Sequence, residues 1–168
     1  MTGADAVTPD LLLRPMEPHE SVALAGLHLA SRAAAAASGM MPAPVPRPRA
    51  EVERWFSTEV APHREVWVAE VRARPVGLLV LDTAFLDQLY VLPDCTGAGI
   101  GTALLELAKA LRPDGFELWV FAANAGARRL YERHGLVAVE FTDGAGNEEG
   151  APDVRYAWRP HRIVLADE

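Results

Sequence analysis

Residues 96 to 102 read TGAGIGT, with glycine at 97, 99 and 101. Three glycines in five residues at a helix start are costly unless the backbone must come close to something. With no side chains in the way, successive N–H groups of Thr96, Gly97, Ala98, Gly99, Ile100, Gly101 and Thr102 can turn toward one anion. A helix N-terminus adds unsatisfied donors and positive partial charge. The chemistry this offers is a phosphate cradle. The plain alternative is a turn that only lets a strand pack closely on a helix. A Walker loop needs Lys-Ser or Lys-Thr after its last glycine, whereas Gly101 is followed by Thr102 and Ala103. A dinucleotide fingerprint needs G-x-G-x-x-G near the start of its domain. Here the spacing is G-x-G-x-G, with roughly ninety residues before it.

Other elements must hold that loop in place. Leu89-Tyr90-Val91 is a β-prone run closed by Pro93 and Asp94, and Ile100, Ala103, Leu104, Leu107, Ala108 and Leu111 recur at helical spacing. Upstream, Leu11–Pro15 reads as a strand, Pro18–Ala37 as a helix, and MMPAPVPRP at 40–48 as a stiff loop, because its four prolines exclude helix. A second helix is expected over Arg49–Val60, with Val52, Trp55 and Phe56 on one face. Glu65–Val71 alternates polar and apolar residues, and Val76–Leu81 is a continuous apolar run, as for a strand covered on both sides. The turn at Arg72–Pro75 makes these two an antiparallel hairpin. Phe85–Val91 leads into the glycine loop, and Phe116–Phe121 follows its helix, so this βαβ unit should have parallel strands. Ala125–His134 is a helix ended by Gly135, and strands follow at Leu136–Phe141 and Val154–Trp158 around a polar loop, TDGAGNEEGAP.

The chain has 168 residues, half of them hydrophobic, which suits one domain with a real core over residues 11–160. Residues 1–10 are expected to fray and 161–168 to form a tail. A net charge of −7 argues against a nonspecific nucleic-acid binder and fits a cationic substrate such as an amine. Cys95 is the only cysteine, so no internal disulfide can form. His19, His28, His63, His134 and His161 lack metal-ligand spacing and read as surface or internally satisfied residues. No signal peptide or membrane-length apolar run is visible, so the cytoplasm is the expected location and no membrane partner is expected.

The glycine loop resembles motif A of the GNAT family, the GCN5-related N-acetyltransferases, whose pattern is Arg/Gln-x-x-Gly-x-Gly/Ala. Thr96 stands where Arg or Gln is usual. Asn124, Ala127, Tyr131 and Gly135 match a second family signature, N-x-x-A-x-x-x-Y-x-x-x-G-F, with Leu136 in place of Phe. The element order over about residues 10–160 is also the family's. The resemblance implies an α/β (α+β) fold with a mixed central sheet of six or seven strands, helices on both faces, and two parallel strands, 85–91 and 116–123, splayed at their C-terminal ends. It implies acetyl-CoA as the cofactor, lying in that V. Leu89, Tyr90 and Val91 would pair with the pantetheine amides, residues 96–102 with the pyrophosphate, and Asn124, Ala127 and Arg128 or Arg129 with the rest of the coenzyme.

The implied reaction moves an acetyl group to a primary amine by direct attack. A lysine-like amine has a pKa of about 10.4, so only about one in two thousand is neutral at pH 7, and a base must help. Asp87, on the strand before the pantetheine segment, is the candidate base. Tyr131 matches the family's tyrosine that protonates the departing thiolate. Glu148 and Glu149 are either cation-binding groups or solvated loop charge. Cys95 has no evident histidine partner, which disfavours an acetyl-cysteine intermediate. A coenzyme-holding sensor without turnover and a nucleotide-dependent oxidoreductase are the alternatives. Lysines, protein N-termini, aminoglycosides, polyamines and amino acids all remain open as acceptors, and a homodimer is compatible with the family.

Overall fold

A computed structural model describes residues 10–161. The expectations for the two chain ends therefore lie almost wholly outside the described residues. The chain runs β1 (Leu11–Pro15), α1 (Ser21–Ala37, entered through a single 3₁₀ turn), α2 (Arg49–Trp55), β2 (Glu65–Val71), β3 (Arg74–Leu81), β4 (Leu86–Val91), α3 (Ile100–Leu111), β5 (Phe116–Phe121), α4 (Ala125–Arg133), β6 (Val137–Thr142) and β7 (Asp153–Trp158). Alanine-rich α1 costs little to order. It stops where Gly39 turns to φ 73° and Met40 N–H bonds back to Ala35. Gly135 ends α4 in the same way, at φ 83°, with Leu136 N–H donating to Tyr131 O at 3.0 Å.

The strands form two antiparallel sheets, β1-β2-β3-β4 and β5-β7-β6. They meet at one parallel bridge, Phe85 to Glu117, just ahead of β4 and inside β5. The expected parallel relation of these strands holds at that bridge. Past it, no ladder joins them among the described residues.

β3 is the centre of the core because it is covered on both faces. Leu78 and Val80 pack with Leu24, Leu27, Val52 and Phe56 of α1 and the segment after it. Leu79 and Leu81 face Ile100, Leu104 and Leu105 of α3 together with Phe116, Leu118 and Tyr156. Gly77 makes the close approach of α3 possible: a Cβ there would lie 3.1 Å from Leu104 and 3.2 Å from Ile100. That contact seats the first turn of α3, and with it the glycine loop.

Two local features differ from expectation. The helix expected to run to Val60 keeps α geometry only to Trp55, then widens into a π turn over Phe56–Val60. There the Ser57 and Thr58 hydroxyls each donate to the carbonyl four residues back, loosening the regular ladder. The β2–β3 turn is also tighter than expected, with only Arg72 and Ala73 at its tip and β3 already begun at Arg74.

Candidate active site

The glycine loop has the geometry a cradle needs. Pro93–Cys95 forms a 3₁₀ turn, and Thr96 Oγ1 donates back to Pro93 O at 3.0 Å. Gly97 and Gly99 then sit at φ 79°, where an L side chain would be strained, and α3 begins at Ile100. The first intrahelical bond is Ala103 N–H to Gly99 O. The N–H groups of Thr96, Gly97, Gly99, Ile100, Gly101 and Thr102 bond no backbone carbonyl among the described residues. A row of unpaired donors at a helix N-terminus fits a pyrophosphate.

Beside the loop, a cavity of about 510 Å³ opens between the ends of β4 and β5. It brings together Asp87, Leu89, Tyr90, Val91, Thr96, Asn124, Ala127 and Tyr131, all named from sequence. On one side β4 pairs with β3, Leu79 opposite Leu89 and Gly77 opposite Val91. Its other side lines the cavity. The far wall includes Ser31 of α1, whose buried hydroxyl has no partner among the described residues. Such an orphan in a cavity wall suits a ligand that supplies the missing bond.

Tyr131 reaches the cavity from α4. Burial, with a smaller contribution from Tyr90, pushes its phenol well above the ordinary tyrosine range, so it keeps its proton at neutral pH. Its hydroxyl bonds nothing among the described residues, which leaves it free to donate to a ligand. Asn124 caps α4, its Oδ1 accepting from Ala127 N–H at 3.1 Å, and also lines the cavity.

Other sequence-named groups are placed differently. Arg128 turns away from the glycine loop: its Nε donates to Tyr156 Oη at 3.1 Å, and its guanidinium lies over Phe141. Neighbouring Arg129 is exposed and carries no ion pair among the described residues. Cys95 lies outside the cavity, and burial, then Asp94, raises its thiol pKa, which opposes thiolate chemistry. Glu149 pairs with Arg32 at 2.9 Å, and Glu148 with Arg47, so both carboxylates are taken by arginines and neither is left for a cation.

Asp87 falls in a bulge of β4. Gln88 pairs with Val80 and Leu86 with Leu81, leaving Asp87 unmatched in the ladder and exposed. Its Oδ2 accepts from Arg64 Nε at 2.7 Å. A second cavity, about 710 Å³, lies on the α1 side of β4 and shares Asp87, Gln88, Tyr90 and Arg32 with the first. Its walls include Trp55, one of the tryptophans that sequence left open as pocket-lining, and His28, which sequence reasoning did not place at the site. The available signal was the four-residue spacing of His28 and Arg32 on a helix.

The model of the Acetyltransferase (GNAT) family matches residues 33–136, and the chain belongs to that family. It is 33% identical over 108 residues to an uncharacterized N-acetyltransferase of Methanocaldococcus jannaschii, covering 54% of this chain and 48% of that one. It is 36% identical over 89 residues to the peptidyl-lysine N-acetyltransferase YjaB of Salmonella typhimurium, covering 52% of this chain and 60% of the relative. The matched stretch thus spans about half the length of these curated relatives. The fold is similar to that of yncA, an acetyltransferase of Salmonella typhimurium solved with acetyl-CoA, at a TM-score of 0.68 and 14% identity over 94% of this chain and 98% of that one. No helix among the described residues is long and apolar enough to cross a membrane.

Proposed function

We propose that residues 11–160 form one acetyltransferase domain that moves an acetyl group from acetyl-CoA to a primary amine by direct attack. The observation that carries this reading is the set of amides of Thr96, Gly97 and Gly99–Thr102, which bond no backbone carbonyl among the described residues, beside the cavity between β4 and β5. The amides of Thr96, Gly97 and Gly99–Thr102 hold the pyrophosphate. The cavity-facing edge of Leu89–Val91 orients the pantetheine arm, and Asn124 and Ala127 close the far side. Of the two arginines considered for the adenosine phosphate, exposed Arg129 is the better placed. Acetyl-CoA supplies the activated thioester. Tyr131 protonates the departing sulfur, and the amine gives up its proton on the β4 side that carries Asp87 and its neighbours.

The amine approaches through the second cavity. A relative named for peptidyl-lysine makes a protein lysine one natural acceptor to test first. The Pro-rich loop contributes Pro44–Pro46 to a third, adjoining cavity of about 610 Å³, where it would shape the choice of acceptor.

The test is an amine panel with acetyl-CoA, read by release of free thiol and repeated with Gly99→Glu. The wild type should turn over, and the variant, folded by circular dichroism, should lose coenzyme A binding. Binding without thiol release for any amine favours a coenzyme-holding sensor instead. Normal coenzyme A binding by folded Gly99→Glu contradicts the cradle.

A further inference from the structure

The two ring nitrogens of His28 have different surroundings. His28 sits on α1 with Arg32 one turn later, and the two face Gln88 and Tyr90, alternate residues of β4. His28 Nδ1 lies 2.8 Å from Gln88 Oε1. With Gln88 Oε1 as the facing atom, which can only accept, the proton is assigned to Nδ1 and Nε2 keeps a lone pair. Nε2 has no partner among the described residues, and the imidazole borders both cavities on this side of β4. The ring is fixed between Trp55, with centroids 5.5 Å apart, and Tyr90, which meets it edge-on at 5.4 Å.

Resting on the acetyl-transfer reading, we infer that His28 Nε2 is the base that takes the proton from the acceptor amine. Asp87, the other candidate, already gives an oxygen to Arg64. The charges around His28 come mostly in pairs. Arg32 is matched by Glu149 and Arg64 by Asp87, while Glu59 and His63 of the same cavity are exposed and outside any ion pair among the described residues. Burial lowers the His28 pKa, its Gln88 bond opposes this, and Arg32 lowers it further, so the ring is neutral at pH 7.

The protons balance. The ammonium gives one proton to Nε2, and its lone pair then forms the C–N bond at the thioester carbonyl. As the C–S bond breaks, Tyr131 protonates the sulfur and regains a proton from the new amide nitrogen. The imidazolium returns its proton to solvent, so both side chains end as they began.

The test compares His28→Asn with wild type at pH 7 on two acceptors: a lysine peptide, largely protonated there, and trifluoroethylamine, already neutral. Loss of the base should lower kcat/KM for the lysine peptide about 100-fold. It should change that for trifluoroethylamine by less than about threefold, with coenzyme A affinity unchanged by calorimetry. Gln88→Glu, which stabilises the imidazolium, should move the acid limb of the lysine-peptide profile to higher pH. Independently of turnover, long-range proton–nitrogen NMR spectra should show His28 neutral at pH 7 with the proton on Nδ1. Equal loss with both amines, no loss with either, or a proton on Nε2 overturns the assignment. A wild type that acetylates no amine overturns the acetyl-transfer reading and this assignment with it, even if the tautomer is as expected.

Discussion

At Tyr131, the proposed proton donor, one environment sets both the strength and the limit of the group. Burial raises its pKa, which makes the phenol a weaker acid than an ordinary thiol at about 8.5. Donation to a thiolate is then uphill by itself and becomes favourable only if the phenol regains a proton from the nitrogen in the same event. Tyr131→Phe should therefore lower kcat about 100-fold while leaving acetyl-CoA affinity within about threefold of wild type, measured by steady-state kinetics and calorimetry. Unchanged turnover would remove Tyr131 from the proton path. The places of Tyr131 and Asn124 in one cavity wall were legible in the sequence because their spacing belongs to a single helix and its cap. His28 was not, because its meaning depends on Gln88, sixty residues away. No local pattern reports that pair.

At the scale of elements, hydrophobic period did most of the work. The continuous run Val76–Leu81 led to a strand covered on both faces, and the two core clusters on either side of β3 bear this out. What escaped were irregularities fixed by partners: the bulge at Asp87 and the π turn after α2. The β2–β3 turn makes a further point. Arg72 and Ala73 both hold positive φ, at 51° and 62°, in a two-residue hairpin loop where Asn-Gly is preferred. Left-handed backbone costs a non-glycine residue about 1–2 kcal/mol, and a new glycine loses about 0.4–1 kcal/mol through the unfolded chain. Replacing the pair with Asn-Gly should stabilise the fold by about 1 kcal/mol, or about 2–4 °C in Tm. Calorimetric melting checks this, and a lower Tm would mean the two native side chains contribute contacts that outweigh the strain.

Across the whole molecule, the site depends on long-range ties. Arg32 and Arg47, from α1 and the Pro-rich loop, hold Glu149 and Glu148 of the β6–β7 loop, at sequence separations of 117 and 101. These pairs line the third cavity and take up two carboxylates that, in sequence, read as either cation-binding groups or solvated loop charge. Sequence gave no warning, since each residue alone is an ordinary surface charge. The glycine-loop side was more readable, because such a loop ahead of a helix carries its geometry locally.

In the proposed complex, backbone amides at the start of α3 grip a pyrophosphate. The most direct measurement is an amide NMR titration of the ¹⁵N-labelled protein with coenzyme A. The amides of Gly97, Gly99, Ile100, Gly101 and Thr102 should show the largest shifts, saturating together with those of Leu89–Val91. Saturable binding that moves other amides while leaving Gly97–Thr102 in place would contradict the account.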